Sequence, residues 1–339
     1  MRILIIKTSS MGDILHTLPA LTDAGKNNPA IRFDWIVEEN FADIPKWHPL
    51  VENVIPVAVR RWRKKLFAKE TQSEINQFLK TLRSKKYDLV IDAQGLFKTI
   101  WIAWLAKGPL CGFDRHSARE PLTSLFYRRR YAALWKWHAV TRLRSLFSQA
   151  LGYALPETVA DYGIDRQRFV DSSEEKKYIV FLHGTTWPTK HWPEAYWIEL
   201  ANRVNENNLT VKLPWGNAEE QQRAQRIAAN CSSAEVLPRL GLTEIAKVLA
   251  KATAVVAVDT GLGHLAAALN VPTVSVYGPT DAALTGTVGE SQIHLSAVFP
   301  CSPCLNRICT YPGAEQSLVQ PPCFATISPT KVFCSLKIP

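Results

Sequence analysis

The chain has 339 residues, 47% hydrophobic and 21% charged, ordinary for a globular protein and long enough for two domains. Its formal net charge of +10 is not ordinary and predicts anionic partners: nucleic acid, an anionic membrane surface or a phosphorylated substrate. No uncharged apolar run approaches the length of a membrane span, and the start has no signal-peptide pattern, so the chain is expected to be cytoplasmic, touching a membrane only through its basic surface.

Arg2 to Lys7 reads as a buried strand, followed by the polar glycine loop Thr8 to Asp13 and an apolar stretch from Ile14. Pro19 marks a kink or a helix start. Phe33–Val37 and Val54–Val57 are two further strands. In Arg60-Arg61-Trp62-Arg63-Lys64-Lys65 five residues of six are cationic; a helix would place Arg60, Arg63 and Lys64 on one face and Trp62 off it. Such a run is either a solvated face or a clamp for phosphate groups, which guanidinium forks match. Glu74–Lys85 reads as an amphipathic helix, and Tyr87–Asp92 as a strand ending in the polar turn Ala93-Gln94-Gly95. Gly108–Glu120 reads as a loop holding Arg115, His116 and Arg119. Phe126–Tyr131 and Trp135–His138 interleave cations with aromatics, a pattern that suits single-stranded nucleic acid or one extended anionic surface.

Tyr153–Lys177 has the composition of a linker. Tyr178–Leu182 is a strand followed by His183-Gly184-Thr185-Thr186, and the next helix opens at Pro193-Glu194. Leu209–Leu213 and Glu235–Pro238 are strands, Glu219–Ala229 is a charged helix, and Thr243–Lys251 is a helix capped by Thr243. Ala254–Val258 is apolar throughout, which suits a strand buried on both faces of a parallel sheet. Asp259, Thr260, Gly261, Gly263 and His264 follow: two glycines for a sharp turn, then a helix from His264 whose N-terminus offers a seat for a diphosphate. Thr273–Tyr277 returns as a strand. Polar side chains at the carboxyl ends of buried strands are where open α/β sheets bind ligands. The predicted fold is α/β: two doubly wound, Rossmann-like domains with ligands between the carboxyl ends of their sheets. Of seven cysteines, five lie after Pro300. Cys301, Cys304, Cys309 and Cys323 could supply four thiolates to zinc, but the spacing is not that of a standard finger, and reduced free thiols are expected.

Lys7-Thr8-Ser9-Ser10-Met11-Gly12-Asp13, Val258 to Leu265 and Tyr277-Gly278-Pro279-Thr280-Asp281 together resemble the bacterial lipopolysaccharide heptosyltransferases, and Arg60–Lys64, Ala118–Leu122 and Lys190-His191-Trp192-Pro193 resemble the branch that adds the first heptose. The resemblance runs to about Thr285. It implies a GT-B glycosyltransferase: an acceptor-binding domain over 1–165, a donor-binding domain over 166–325, and a tail over 326–339 that packs back on the first domain. It implies inverting transfer of L-glycero-D-manno-heptose from ADP-heptose onto the Kdo residue of Kdo-lipid A, in peripheral contact with the anionic inner membrane. Under it Asp13 is the general base, although by itself Asp13 also reads as a helix N-cap. With no Asp-x-Asp pair to hold a cation, no metal or other cofactor is implied; Lys190 and the N–H groups from Thr260 to His264 meet the diphosphate instead. Thr185 and Thr186 lie by the phosphates, Gly261 among the N–H groups at the diphosphate, Asp259 by the sugar, Glu220 by the ribose and Leu240 by the adenine. Ser10, Arg60, Arg61, Arg63, Lys64, Gln94, Arg119 and His138 are the implied acceptor residues. A later-acting heptosyltransferase with a heptose acceptor, and a nucleic-acid-binding protein, are the alternatives.

Overall fold

The computed structural model describes residues 1–171 and 176–336. The chain forms two compact units, Met1–Ile164 and Asp165–Pro339. In the first, β1 (Arg2–Ile6), β2 (Arg32–Glu38), β3 (Val51–Val57), β4 (Leu89–Asp92), β5 (Leu110–Phe113) and β6 (Arg129–Tyr131) form a parallel sheet of order β3-β2-β1-β4-β5-β6. Its helices are α1 (Met11–Leu15), α2 (Leu18–Asn27), α3 (Asp43–Lys46), α4 (Val59–Trp62), α5 (Lys69–Arg83), α6 (Phe97–Leu105) and α7 (Ala139–Leu151). In the second, β7 (Tyr178–Leu182), β8 (Thr210–Leu213), β9 (Ala234–Val236), β10 (Ala254–Val258), β11 (Thr273–Tyr277) and β12 (Gln292–Ser296) run in the order β12-β11-β10-β7-β8-β9. Its helices are α8 (Glu194–Glu206), α9 (Ala218–Ala228), α10 (Leu242–Lys251), α11 (Gly261–Ala268), α12 (Ala282–Thr285) and α13 (Pro329–Ser335). Both sheets follow the doubly wound order in which the chain starts centrally, winds out one way, and returns to wind out the other.

The central strands are those the sequence makes plainest. Ile3 to Ile6, Tyr178 to Leu182 and Ala254 to Val258 are buried throughout, as a strand covered by helices on both faces must be. Much of the tryptophan content goes into these cores. Trp35, Trp192 and Trp197 are fully buried, and Trp62 packs on Phe78 while donating from Nε1 to Glu74 at 2.7 Å. Pro19 stands at the start of α2 rather than at a kink, where its missing N–H costs no bond.

Several local expectations are corrected. The segment expected as a loop over 108–120 contains β5, and the basic-aromatic run contains β6. The cationic run is helical only over Val59–Trp62. Thr243 does not cap α10, whose N-cap is Gly241. Gly261 and Gly263 form the first turn of α11 instead of a separate turn before it. Within the second unit α13 packs on α8, and Val332 and Leu336 enter that unit's core with Trp192 and Trp197. Residues 172–175 of the linker and 337–339 of the tail lie outside the described residues.

Candidate active site

In the first unit the strand order reverses between β1 and β4, so the loops after these two strands diverge and leave room at their carboxyl ends. Gln94, buried after β4, holds the loop after β1: its Oε1 accepts from the N–H groups of Thr8 at 3.0 Å and Ser9 at 3.1 Å. Asp92 fixes Gln94 in turn. Its Oδ1 accepts from the N–H groups of Gln94 and Gly95 at 2.9 and 3.1 Å, and its Oδ2 from the Tyr127 hydroxyl at 2.8 Å. Gly95 has φ +64°, the left-handed region that glycine enters without a Cβ clash.

Asp13 stands at the third position of α1 in a capping box with Ser10. Its Oδ2 accepts from Ser10 N at 2.8 Å and Oγ at 2.7 Å, and its Oδ1 lies 3.8 Å from the Lys7 Nζ. The N-cap is therefore Ser10, and Asp13 closes the box from inside the helix. Lys7 is buried and donates to the Ala93 carbonyl at 2.9 Å. Burial pushes the Asp13 carboxyl up, but the Lys7 ammonium, the Ser10 bonds and His16 together outweigh it and hold the carboxyl down at about 2. Burial also lowers the Lys7 ammonium, against the pull of Asp13 and Asp92.

The expected acceptor residues divide. Arg60, whose backbone N–H is held by Glu38, and Arg119 lie close enough to Lys98 to push its ammonium down, after burial, while Glu38 and Asp13 pull it up. Lys98 donates from Nζ to Ser9 Oγ at 3.0 Å, so a third cation belongs to this cluster, one the motifs did not single out. Arg61 is committed elsewhere, to Glu39 at 3.0 Å and Glu74 at 2.9 Å. Arg63 and Lys64 follow α4 and, among the described residues, make no ion pair. His138 is the N-cap of α7, accepting from Val140 N at 3.2 Å, with its ring 5.7 Å from that of His16.

The second unit has its reversal between β7 and β10. Asp259, at the end of β10, gathers three partners. Lys190 Nζ is 2.6 Å from its Oδ2, the Thr280 hydroxyl donates to Oδ2 at 2.7 Å, and the Thr185 hydroxyl donates to its main-chain carbonyl at 3.0 Å. Lys190 also lies over the Trp187 ring, 4.5 Å from its centre. No side chain caps the first turn of α11 at Thr260, and His264 is buried within that helix. Gly263 lets α11 approach β10: a Cβ there would stand 3.3 Å from the Ala257 Cβ. Glu220 is the third residue of α9, and its Oε2 accepts from Gly216 N at 2.7 Å. Its carboxyl occupies the space a Cβ on Gly184 would fill, which places it beside the loop after β7. Thr186 is exposed, and Leu240 is half-buried in the segment before α10. Cys301, Cys304, Cys309 and Cys323 line one cavity of about 140 Å³, all as free thiols. No group of three or more His, Cys, Asp or Glu among the described residues is arranged to hold a metal.

Residues 75–315 match the model of glycosyltransferase family 9 (heptosyltransferase). The chain belongs to that family. It is 56% identical over 345 residues to the lipopolysaccharide heptosyltransferase 1 of Pseudomonas aeruginosa, covering 99% of this chain and 97% of that protein. It is 51% identical over 296 residues to its counterpart of Escherichia coli K12, covering 86% and 92%. Among solved structures, E. coli heptosyltransferase WaaC with ADP superposes with a TM-score of 0.84 at 51% identity, covering 88% of this chain and 93% of that one. The same enzyme with ADP-2-deoxy-2-fluoro heptose gives 0.81 at 50% identity. The two α/β units with parallel six-stranded sheets are thus the GT-B plan of this family.

Proposed function

We propose that the chain transfers L-glycero-D-manno-heptose from ADP-heptose onto the Kdo residue of Kdo-lipid A, with inversion and without a metal ion, at the cytoplasmic face of a membrane. What supports this reading most is the match over 99% of the chain to a lipopolysaccharide heptosyltransferase 1, together with a carboxylate and a lysine at the two strand-order reversals. The acceptor hydroxyl oxygen attacks the anomeric carbon of the donor, and its proton passes to the Asp13 carboxylate. The bond from that carbon to the diphosphate breaks, and its electron pair leaves on ADP. A carboxylate held at about 2 is ionised throughout the physiological range. It is also a weak base, so proton transfer accompanies bond formation and does not precede it. The charge that grows on the diphosphate is met by Lys190 and by the uncapped N–H groups at the start of α11. Asp259 holds Lys190 in place until the donor arrives, then is free to accept from sugar hydroxyls. Glu220 takes the ribose and Leu240 the adenine. On the acceptor side Arg60, Lys98 and Arg119 form the anion-binding cluster beside Asp13.

The test is incubation of the purified chain with ADP-heptose and Kdo-lipid A, read by mass spectrometry. Addition of one heptose, undiminished by EDTA, is the expected result. No product with Kdo-lipid A but product with an acceptor already carrying heptose would favour a later-acting enzyme, and strict dependence on a divalent ion would overturn the Lys190 account.

A further inference from the structure

Helix α6 carries its largest aromatic side chains on the wrong face for a helix of a globular domain. Thr99, Ile100, Ile102 and Ala103 are buried, whereas Phe97, Trp101 and Trp104 face solvent at the spacing of one helical stripe, Trp104 being 72% exposed. The segment 121–126 beside it does the same: Thr123 and Ser124 are buried, and Leu122, Leu125 and Phe126 are 60%, 68% and 48% exposed. The two pack together, and Glu120 ties them by accepting from Phe97 N at 2.5 Å. Six large apolar side chains are thus exposed on two elements that pack together, unlike surface hydrophobics scattered singly.

Charge decides what covers it. Between Phe97 and Arg130 there are seven Lys or Arg against two acids. Arg128 and Arg129 follow the second apolar stretch after Tyr127 and are exposed. A second copy of this chain, with its own charge of +10, would set like charges against one another. An anionic bilayer offers both things the patch needs: a headgroup layer for the cations and an interfacial zone in which tryptophan and phenylalanine rings settle. No helix among the described residues is long and apolar enough to cross a membrane, so the contact is one of lying on the surface.

We propose that α6 and residues 121–126 are the surface by which the first unit docks on an anionic lipid bilayer, with Trp101, Trp104, Leu125 and Phe126 entering the interface and Arg128 and Arg129 meeting the headgroups. The inference rests on the proposed transfer only for its purpose. Lys98 donates to Ser9 in the loop that leads into α1 and Asp13, so docking by α6 brings that loop to the surface from which a lipid-borne acceptor projects.

The test uses the whole chain and sedimentation with phosphatidylcholine vesicles, with and without phosphatidylglycerol and with no acceptor present. Binding is expected only with the anionic lipid and is expected to weaken as salt rises. Trp104→Ser with Leu125→Ser and Phe126→Ser should reduce the partition coefficient by roughly tenfold or more. Turnover of a detergent-dispersed acceptor should stay unchanged, so that loss of docking and failure of the transferase reading are told apart. Should the triple variant fold poorly, quenching of wild-type tryptophan fluorescence by brominated lipid, reduced in Trp104→Phe, reads the same contact. Equal binding of wild type and variant, or absence of quenching, overturns the proposal. So does a wild-type dimer that the triple variant abolishes, because the patch would then be an interface between copies.

Discussion

At the reversal of strand order, the first unit follows β1 with a helix that caps itself, whereas the second follows β10 with a helix that no side chain caps. In α1 the Asp13 carboxylate accepts from Ser10 N and Oγ in a capping box, so the end that would attract an anion already holds a carboxylate. In α11 the first turn is Gly261-Leu262-Gly263, with the cation beside it supplied by Lys190. One scaffold thus presents a negative group in one unit and an open anion seat in the other. Under the proposed transfer, this is the division that an acid-base step at the acceptor and charge neutralisation at the donor require.

The sharpest way to break the comparison is to remove the carboxylate. Asp13→Ala should lower kcat by about 10³-fold or more, at the upper end of what a positioned base contributes. ADP binding by calorimetry should not change, since no donor residue is touched. Turnover within tenfold of wild type would exclude Asp13 as the base. Lys190→Ala attacks the other pole. It should cost roughly 10²- to 10³-fold in kcat/KM, of the order found when one preorganised charge-stabilising group is lost. It should weaken ADP binding as well, because the diphosphate is present in the ground state. If only kcat fell, Lys190 would act on the transition state alone.

A third variant tests why Asp13 is ionised. In Lys7→Met the strongest opposing influence on burial is gone, and the Asp13 carboxyl should rise. Because the base works ionised, wild type should show no acid limb from Asp13 above pH ~3, while the variant should gain one and lose roughly tenfold in kcat/KM at pH ~5 relative to pH ~7. A profile parallel to wild type, merely lower, would mean that Lys7 only supports the fold.

How much of this the sequence carries depends on the kind of signal. β1, β4, β7 and β10 are legible as apolar runs leading into polar turns, beyond which Asp13, Gln94, Thr185 and Asp259 stand, and β11 as a β-branched segment following Pro272. β5 is four residues with a glycine inside, β6 is Arg-Arg-Tyr on an exposed edge, and β12 alternates polar and apolar at the other edge. The edge strands β6 and β12 give no buried-strand pattern because they are not covered on both faces, and β5, buried between β4 and β6, is too short and too broken by Gly112 to show one. Lys98 was illegible for another reason: its place beside Ser9 is a contact 89 residues apart in sequence. The pairing of Arg61 is illegible in its cationic run because its partners, Glu39 and Glu74, lie on other elements.

The smallest effect separates the two units by stability. Burial pushes the His48 imidazole of the first unit down to about 4, against the pull of Asp161, and in the second unit it pushes His183 to about 3 and His191 to about 4. His48 is satisfied as the neutral ring: Nδ1 accepts from Leu50 N at 3.2 Å, which leaves Nε2–H to donate to the Thr22 hydroxyl at 3.0 Å. Between the folded value and the unfolded value near ~6.5, the unfolded chain binds more protons, so stability rises with pH in that window. It is fully present above pH ~6.5 and falls as the medium is acidified toward the folded values, by roughly 2 kcal/mol for His48 at pH ~5. His48→Gln, which does not titrate, should flatten that part of the decline and leave the part due to His183 and His191. Calorimetric scans at pH ~7 and ~5 should therefore show a smaller acid-induced drop in Tm for the variant, whatever its stability at pH ~7. An equal drop in variant and wild type would mean that acid sensitivity resides in the second unit alone.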